Sequence, residues 1–502
     1  MQKCSLFLTV QNLKGELVIN FYQKIRASKF VQTLLIPCNT VWFIAVPFLL
    51  ALLSNMFSLE IPVYIIVIIV SGFIILFNDD TKPIIPFFVA MYFGTSRANS
   101  PIITDEGIYQ TPWSLALVIG LAAVAVLCFA ARIVLTGEHK KFRFKNMRMS
   151  VGLLIFGAAL ALSGAFSPEA SLKNLLFGTL QFISFAFIYL YFTVTIDWKK
   201  CEIKYIAYVM AAMALLLCFE LMWIYATVED VIVDGIINKF VILTGWGIQN
   251  NIGGMMTLGL PFCYYLAVKE RHGWVFVVLA ELIFCVSLFT LSRTAILVGL
   301  GVVAVGSVLT LVLSQKKLAL FIVFGTTAAV ALTMYFIFLE ELYVLYISIF
   351  ANGMNLSGRE ALFVHGLSKY AEYPLFGGGW FMIQDTSLEV YDMFVPGRYH
   401  NMFVQIYASC GAVGMLAYVF HLQEVVRVTV RKFSPDRLFI AFGILTLIVL
   451  SQMDNHFFNI GPGLIYSAML CFLEGDLIKS EIPVEQTAKK EVLLPAGAQI
   501  QG

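Results

Sequence analysis

The amino-acid sequence predicts an all-α polytopic membrane protein, with about 12–14 transmembrane helices and one large, partly helical extracytoplasmic loop. Three observations carry that prediction. Of the 502 residues, 60% are hydrophobic and 13% charged, against roughly half and a quarter in soluble chains. Apolar runs close to the ~20 residues that span a bilayer recur along the chain. Lysine and arginine are dense in alternate connections and sparse in the others, as the positive-inside rule requires of a multi-pass chain. The net charge of +2 says little, because placement matters more than the sum in such proteins; no nucleic-acid partner is expected.

Taken in order, residues 1–36 carry Lys14, Lys24, Arg26 and Lys29 without a signal-peptide core, and read as a retained cytoplasmic tail. A membrane domain follows over 37–478. Its candidate spans are 37–57, 60–77, 83–94, 113–135, 149–166, 174–196, 204–227, 251–268, 274–291, 295–313, 318–339, 401–421, 437–454 and 462–478. The run at 83–94 is short and holds Pro83 and Pro86, which suits half a span or a re-entrant piece. Residues 479–502 form a polar tail. The nine cysteines are scattered, without a CxxC pair, so neither a zinc site nor a disulfide framework is indicated.

Charge sets the orientation. With the amino terminus inside, the inner connections hold Lys140, Lys141, Arg143, Lys145 and Arg148; Lys199, Lys200 and Lys204; Lys269 and Arg271; Lys316 and Lys317; and Arg427, Arg431, Lys432 and Arg437. The outside keeps Arg97, Lys173, Lys239, Arg293, Arg359, Lys369 and Arg398. Trp42, Trp113, Trp223, Trp246 and Trp274 fall near span ends, as interfacial aromatics do. Outer arginines are exceptions to the rule, and the planar guanidinium is suited to bidentate binding of phosphate.

The connection from Glu340 to His400 is long and polar, and loops of that length are usually functional. Ser357-Gly-Arg-Glu360 has the form of a capping box. Behind it, Leu362, Phe363, Gly366, Leu367 and Tyr370 make one apolar side, predicting an amphipathic helix on the membrane surface that ends before Pro374. Arg359 then sits in the first turn, where the dipole and open amides favour an anion. In Phe376-Gly-Gly-Gly-Trp380 the glycines suit a turn, either plain or anion-binding.

Several motifs occur in a fixed order: Asn250-Asn251 with Pro261, Ser292-Arg-Thr-Ala295, Ser357-Gly-Arg359, Tyr373-Pro-Leu-Phe-Gly377 with Gly379, and His400-Asn401 with Gly411 and Gly414. Over about residues 245 to 460 the chain resembles the O-antigen ligase and O-antigen polymerase family, bacterial membrane glycosyltransferases using undecaprenyl-pyrophosphate-linked glycans. The resemblance implies inverting glycosyl transfer at the outer side of the cytoplasmic membrane, without nucleotide sugar, metal or other cofactor. Its partners would be the lipid-linked glycan donor, a glycan or glycolipid acceptor, and membrane lipid. It also implies that His400 is the base and that Arg293 and Arg359 hold the pyrophosphate, with Arg398 a weaker addition. Ligase, polymerase and protein O-glycosylation branches remain open.

The chemistry agrees with that implication. Displacing pyrophosphate from a sugar C1 calls for a base that works near neutrality, as histidine does, and for cations on the departing phosphates. Against it stand Glu220 and Glu281 inside apolar runs, which would suit an ion-coupled transporter or a glycolipid flippase. A relative of the peptidoglycan polymerases matches the motifs less well. His365 reads as a surface residue of the outer helix, and His456, beside Asp454 and Asn455, as a residue at the outer end of a span, with a supporting role the lesser alternative. Asp385, Glu389 and Asp392 read as a solvated face rather than a metal site.

Overall fold

A computed structural model describes residues 18–95, 112–138, 147–168, 170, 172–233, 235–350, 359–380, 399–454 and 456–481. Seventeen helices concern us: α1 Lys29–Leu35, α2 Ala45–Phe57, α3 Glu60–Phe77, α4 Ile85–Tyr92, α5 Pro112–Thr136, α6 Ser150–Ala161, α7 Leu172–Thr195, α8 Ile203–Thr227, α9 Gln249–Lys269, α10 Gly273–Leu288, α11 Arg293–Leu313, α12 Lys317–Ile337, α13 Leu339–Phe350, α14 Arg359–Glu372, α15 Met402–Val430, α16 Pro435–Leu450 and α17 Ile460–Glu481. A two-stranded antiparallel ribbon, β1 Ile232–Val233 and β2 Ile236–Ile237, precedes α9.

Every run expected to span the membrane falls on a helix. Among the described residues, six helices are by themselves long and apolar enough to cross, or seven if the segment from Lys29 to Phe57, bent by 75°, counts as one. The others are short, as α4 is, or too polar on their own. The cause is visible in α9, which is buried along almost its whole length between α8, α10, α11 and α16. A helix wrapped by other helices never meets lipid, so it can carry Gln, Asn and Gly. Gly259 lets α8 approach so closely that a Cβ there would lie 2.5 Å from Ala214 Cβ, the small-residue contact on which membrane helices pack.

The connections expected to be rich in basic residues gather at one end of the bundle. There Lys204 pairs with Glu270 at 3.0 Å, Lys269 with Asp436 at 2.5 Å, Arg431 with Glu481 at 3.2 Å and Arg437 with Asp476 at 2.9 Å. Lys479 Nζ donates to the Cys201 carbonyl at 3.2 Å. The expected amino-terminal tail is partly docked at this end. Val31 and Leu35 are buried, and Arg26 donates to the carbonyls of Phe77 and Asn78, both at 3.2 Å. Arg293, Arg359, His400 and Asp454 lie at the opposite end.

At that opposite end α15 is broken. Gly411 leaves the helix with φ 63° and ψ −158°, a region open in practice to glycine alone. The break frees backbone groups on both sides, and segment 374–379 takes them up. Gly378 N donates to Ala408 O (2.8 Å) and Gly379 N to Ser409 O (3.1 Å); Ala412 N donates to Pro374 O (2.8 Å) and Val413 N to Leu375 O (3.1 Å). The glycines of Phe376-Gly-Gly-Gly-Trp380 therefore serve close backbone approach rather than a free turn. A Cβ on Gly377 would lie 2.3 Å from the Ser409 carbonyl carbon, and one on Gly411 2.5 Å from that of Leu375.

The amphipathic helix, α14, differs in part from its expectation. Leu362 and Gly366 do not face a membrane surface but are buried against Tyr399, Val404 and Ala408. Tyr370 packs edge-on to Tyr407, while Phe363 and Leu367 stay exposed. The stripe divides because one side of the helix meets α15 first.

Gly411→Ala should lower stability by roughly 1–3 kcal/mol from backbone strain alone, with more from the clash against Leu375. Gly301→Ala, where an added Cβ meets nothing within 4 Å, should not. Thermal unfolding of the detergent-solubilised protein compares the two; equal midpoints would rule out the glycine requirement at the break.

Candidate active site

His400 is built into the turn that starts α15. Asn401 is the N-cap: its Oδ1 accepts from Phe403 N (2.9 Å) and Val404 N (3.0 Å), satisfying amides that open a helix. Its Nδ2 donates to Gln452 O at 2.9 Å. Met402 N donates to Ser451 O at 2.8 Å, and Tyr399 N to Gln405 Oε1 at 3.1 Å. Tied on both sides, His400 is held at φ 50°, a left-handed conformation uncommon for a residue with a Cβ. Such strain persists only where the surroundings over-determine it.

The same ties bring up the corner after α16. His400 Nδ1 lies 3.0 Å from Asp454 Oδ1, across 54 residues of sequence. Burial pushes the Asp454 carboxyl up. The bond from His400 and the fields of His456, His400 and Arg359 more than offset this and hold it well below the usual carboxylate range. An ionised carboxylate only accepts, so Nδ1 carries the hydrogen and Nε2 presents its lone pair. The imidazole keeps 21% of its side chain exposed and the carboxylate 8%, so the ring faces outward with the acid behind it. That is the arrangement of a base oriented by a third group.

Arg293 is the first residue of α11, and Ser292 caps that helix by accepting from Ala295 N at 3.4 Å. Gly253 of α9 packs on this cap, where a Cβ would lie 2.7 Å from Thr290 Oγ1; the next residue, Gly254, packs on His456, with 2.7 Å to Nε2. One turn of α9 thus spaces the Ser292-Arg293 cap from the Asp454 corner. Arg359 opens α14. It reaches Asp454 electrostatically, and both arginines act on Lys239 in the same way. His400, Arg293 and Arg359 are therefore gathered around one locus. Arg398 lies outside the described residues, as do Ser357 and the carboxylates of Asp385, Glu389 and Asp392.

The remaining candidates divide: His365 and His456 lie beside this corner, Glu220 and Glu281 away from it. His365 is not a free surface residue: its Nδ1 meets Tyr399 Oη at 3.2 Å, and the two rings stack. His456 is buried against α9. Glu220 of α8 accepts from Trp246 Nε1 in the segment before α9 at 3.1 Å, and Glu281 of α10 from Tyr264 Oη of α9 at 3.0 Å, two neutral donors. Among the described residues no three His, Cys, Asp or Glu side chains gather as a metal would need. Asp454 is the addition that the structure makes to the predicted set. An acid at the end of an apolar run was the one sequence signal for Asp454, and it did not name a partner.

Residues 260–419 match the family model described as O-antigen ligase; that stretch begins within α9 and includes Arg293, Arg359 and His400. No curated protein matches the chain.

Proposed function

From the premise that residues 260–419 belong to the O-antigen ligase family, making this an O-antigen ligase-type membrane enzyme, we propose the following reaction. The enzyme transfers a glycan from an undecaprenyl-pyrophosphate carrier to an acceptor hydroxyl at the outer side of the bacterial cytoplasmic membrane. The acceptor oxygen attacks the sugar C1, and His400 Nε2 takes its proton. The bond from C1 to the pyrophosphate oxygen breaks, and the carrier diphosphate leaves against the guanidinium groups of Arg293 and Arg359. Asp454 is a positioning residue. It fixes the tautomer of His400 and stabilises the imidazolium that forms.

The observation that supports this reading best is the His400–Asp454 bond at 3.0 Å lying within the field of Arg359. It sets a base beside cations suited to a phosphate leaving group. The opposite end of the bundle, where the basic connections meet, is then cytoplasmic. Polysaccharide polymerisation and ligation to a glycolipid both use this chemistry, and the acceptor distinguishes them.

His400→Ala should reduce turnover about 100-fold or more with donor binding nearly intact. Asp454→Asn should give a smaller loss of the same kind. Arg293→Ala and Arg359→Ala should weaken donor binding as well as turnover, with Lys restoring them only in part because the bidentate fork is lost. The assay is transfer from a synthetic undecaprenyl-pyrophosphate donor, with donor binding followed separately. Wild-type rates in His400→Ala would end the base assignment; wild-type donor binding in the double arginine variant would end the clamp.

Activity should persist in EDTA, since an imidazole and guanidinium groups carry the proposed steps. Activity lost to EDTA and regained with magnesium or manganese would point instead to Asp385, Glu389 and Asp392.

Sidedness is checked by cysteine accessibility in a background free of native cysteines. Asp385→Cys should label in intact cells and a cysteine at Lys200 only after permeabilisation; the reverse pattern would overturn the assignment of the two ends.

A further inference from the structure

The chain before α2 runs along the basic end of the bundle. Residues 18–26 are helical, and α1 follows, with Ser28 as its N-cap accepting from Val31 N at 3.4 Å. This segment is pinned to the end of α3. Tyr22 Oη donates to Leu76 O, Arg26 to the carbonyls of Phe77 and Asn78, and Asn78 Nδ2 to Asn39 Oδ1 at 2.9 Å. After Asn39 the chain turns by 75° into Val41–Phe57, which contains α2. A helix set at that angle to a membrane span lies close to the plane of the membrane.

α1 has three sides. Val31 and Leu35 are buried against the bundle. Phe30 and Leu34 each come one residue earlier, about 100° round the helix, and both are exposed. Lys29, Gln32 and Thr33 occupy the remaining arc and are exposed too. Residues 18–26 repeat the arrangement: Tyr22 is buried, Phe21 just before it is exposed, and Gln23 and Lys24 lie on the remaining arc. At the bend, Trp42 is 83% exposed. The chain then enters α2, where Val46, Leu49 and Leu53 form an exposed apolar stripe, the side that a span turns to lipid. A helix beside a bundle at the membrane surface meets three surroundings, namely protein, acyl chains and water, and these two stretches offer one side to each.

We propose that residues 18–42 form an in-plane anchor on the membrane surface, with Phe21, Phe30, Leu34 and Trp42 in the acyl boundary and Lys24 and Lys29 at anionic phospholipid headgroups. Aromatic residues suit that depth, and exposed lysines beside an apolar side are drawn to anionic lipid. The anchor does not depend on the proposed reaction. With the basic end cytoplasmic, its leaflet is the inner one. It also fixes the depth of the end of α3, where the buried Arg132 of α5 donates to Ile75 O at 2.8 Å and Asn78 O at 2.6 Å.

The test uses the full-length, cysteine-free protein in nanodiscs, with one introduced cysteine carrying an environment-sensitive fluorophore. Phospholipids brominated along their acyl chains should quench labels at Phe30→Cys, Leu34→Cys and Trp42→Cys at least about twofold more than labels at Gln32→Cys and Thr33→Cys. Quenching at Phe30→Cys should increase when phosphatidylglycerol replaces phosphatidylcholine, and Lys24→Glu with Lys29→Glu should abolish the increase. Equal quenching at all five positions overturns the anchor. A blue-shifted label at Phe30→Cys or Leu34→Cys that brominated chains do not reach means that protein, a second copy included, covers this side, and overturns it as well. Quenching indifferent to phosphatidylglycerol refutes the headgroup role of the lysines. If one labelled variant fails to fold, the other two on the apolar side carry the comparison.

Discussion

Inside a bilayer a broken helix must find new partners for its backbone, because no water is there to supply them. That constraint governs the functional end of this protein. The four hydrogen bonds between segment 374–379 and α15 satisfy groups released at Gly411, each of which would otherwise cost several kcal/mol in hydrocarbon. They also anchor the two ends of a long excursion. Behind the dock lies α14 with Arg359, and ahead of it the turn that carries His400. Gly164 joins the same packing, donating to Phe376 O at 2.9 Å and meeting Gly379 where any side chain would collide. The positions of His400 and Arg359 thus depend in part on a backbone requirement at Gly411.

The second organising feature is the unequal treatment of charge at the two ends. At the basic end, ion pairs and carbonyl contacts join connections far apart in sequence, such as Arg437 with Asp476 and Lys479 with Cys201. Arg437 is almost fully buried there, and a buried cation is tolerable only with such partners. At the other end Lys369 pairs with Glu372 at 3.3 Å, and Asp454 lies within the field of Arg359. The basic end thus uses its charge to hold helices together. The bond between His400 and Asp454 closes the turn before α15 and orients the imidazole.

Glu220 and Glu281 illustrate why an intramembrane carboxylate alone is a weak guide to function. Each is satisfied by a neighbouring side chain, Glu220 by Trp246 and Asn55 and Glu281 by Tyr264. Gly253 and Gly254 admit the Ser292 cap and His456 on adjacent positions of one helix, and in doing so set the spacing of the site.

What the sequence alone determined was the membrane class and the helices that carry its apolar runs; it missed Lys29–Leu35, expected in a tail, and Leu339–Phe350, expected in a polar loop. Apolar runs and basic connections report transfer energies and insertion, which are properties of local composition, so they can be read without a fold. The chain order of the glycine and arginine motifs is also linear information. What the tertiary structure alone decided was pairing. Nothing local joins His400 to Asp454, 54 residues away, or the glycines at 377–379 to a helix break at 411. The amphipathic stripe of α14 was legible, but which half of it met protein and which stayed exposed was not. Periodicity shows that a helix has an apolar side; only the neighbouring α15, folded against it, determines what that side meets.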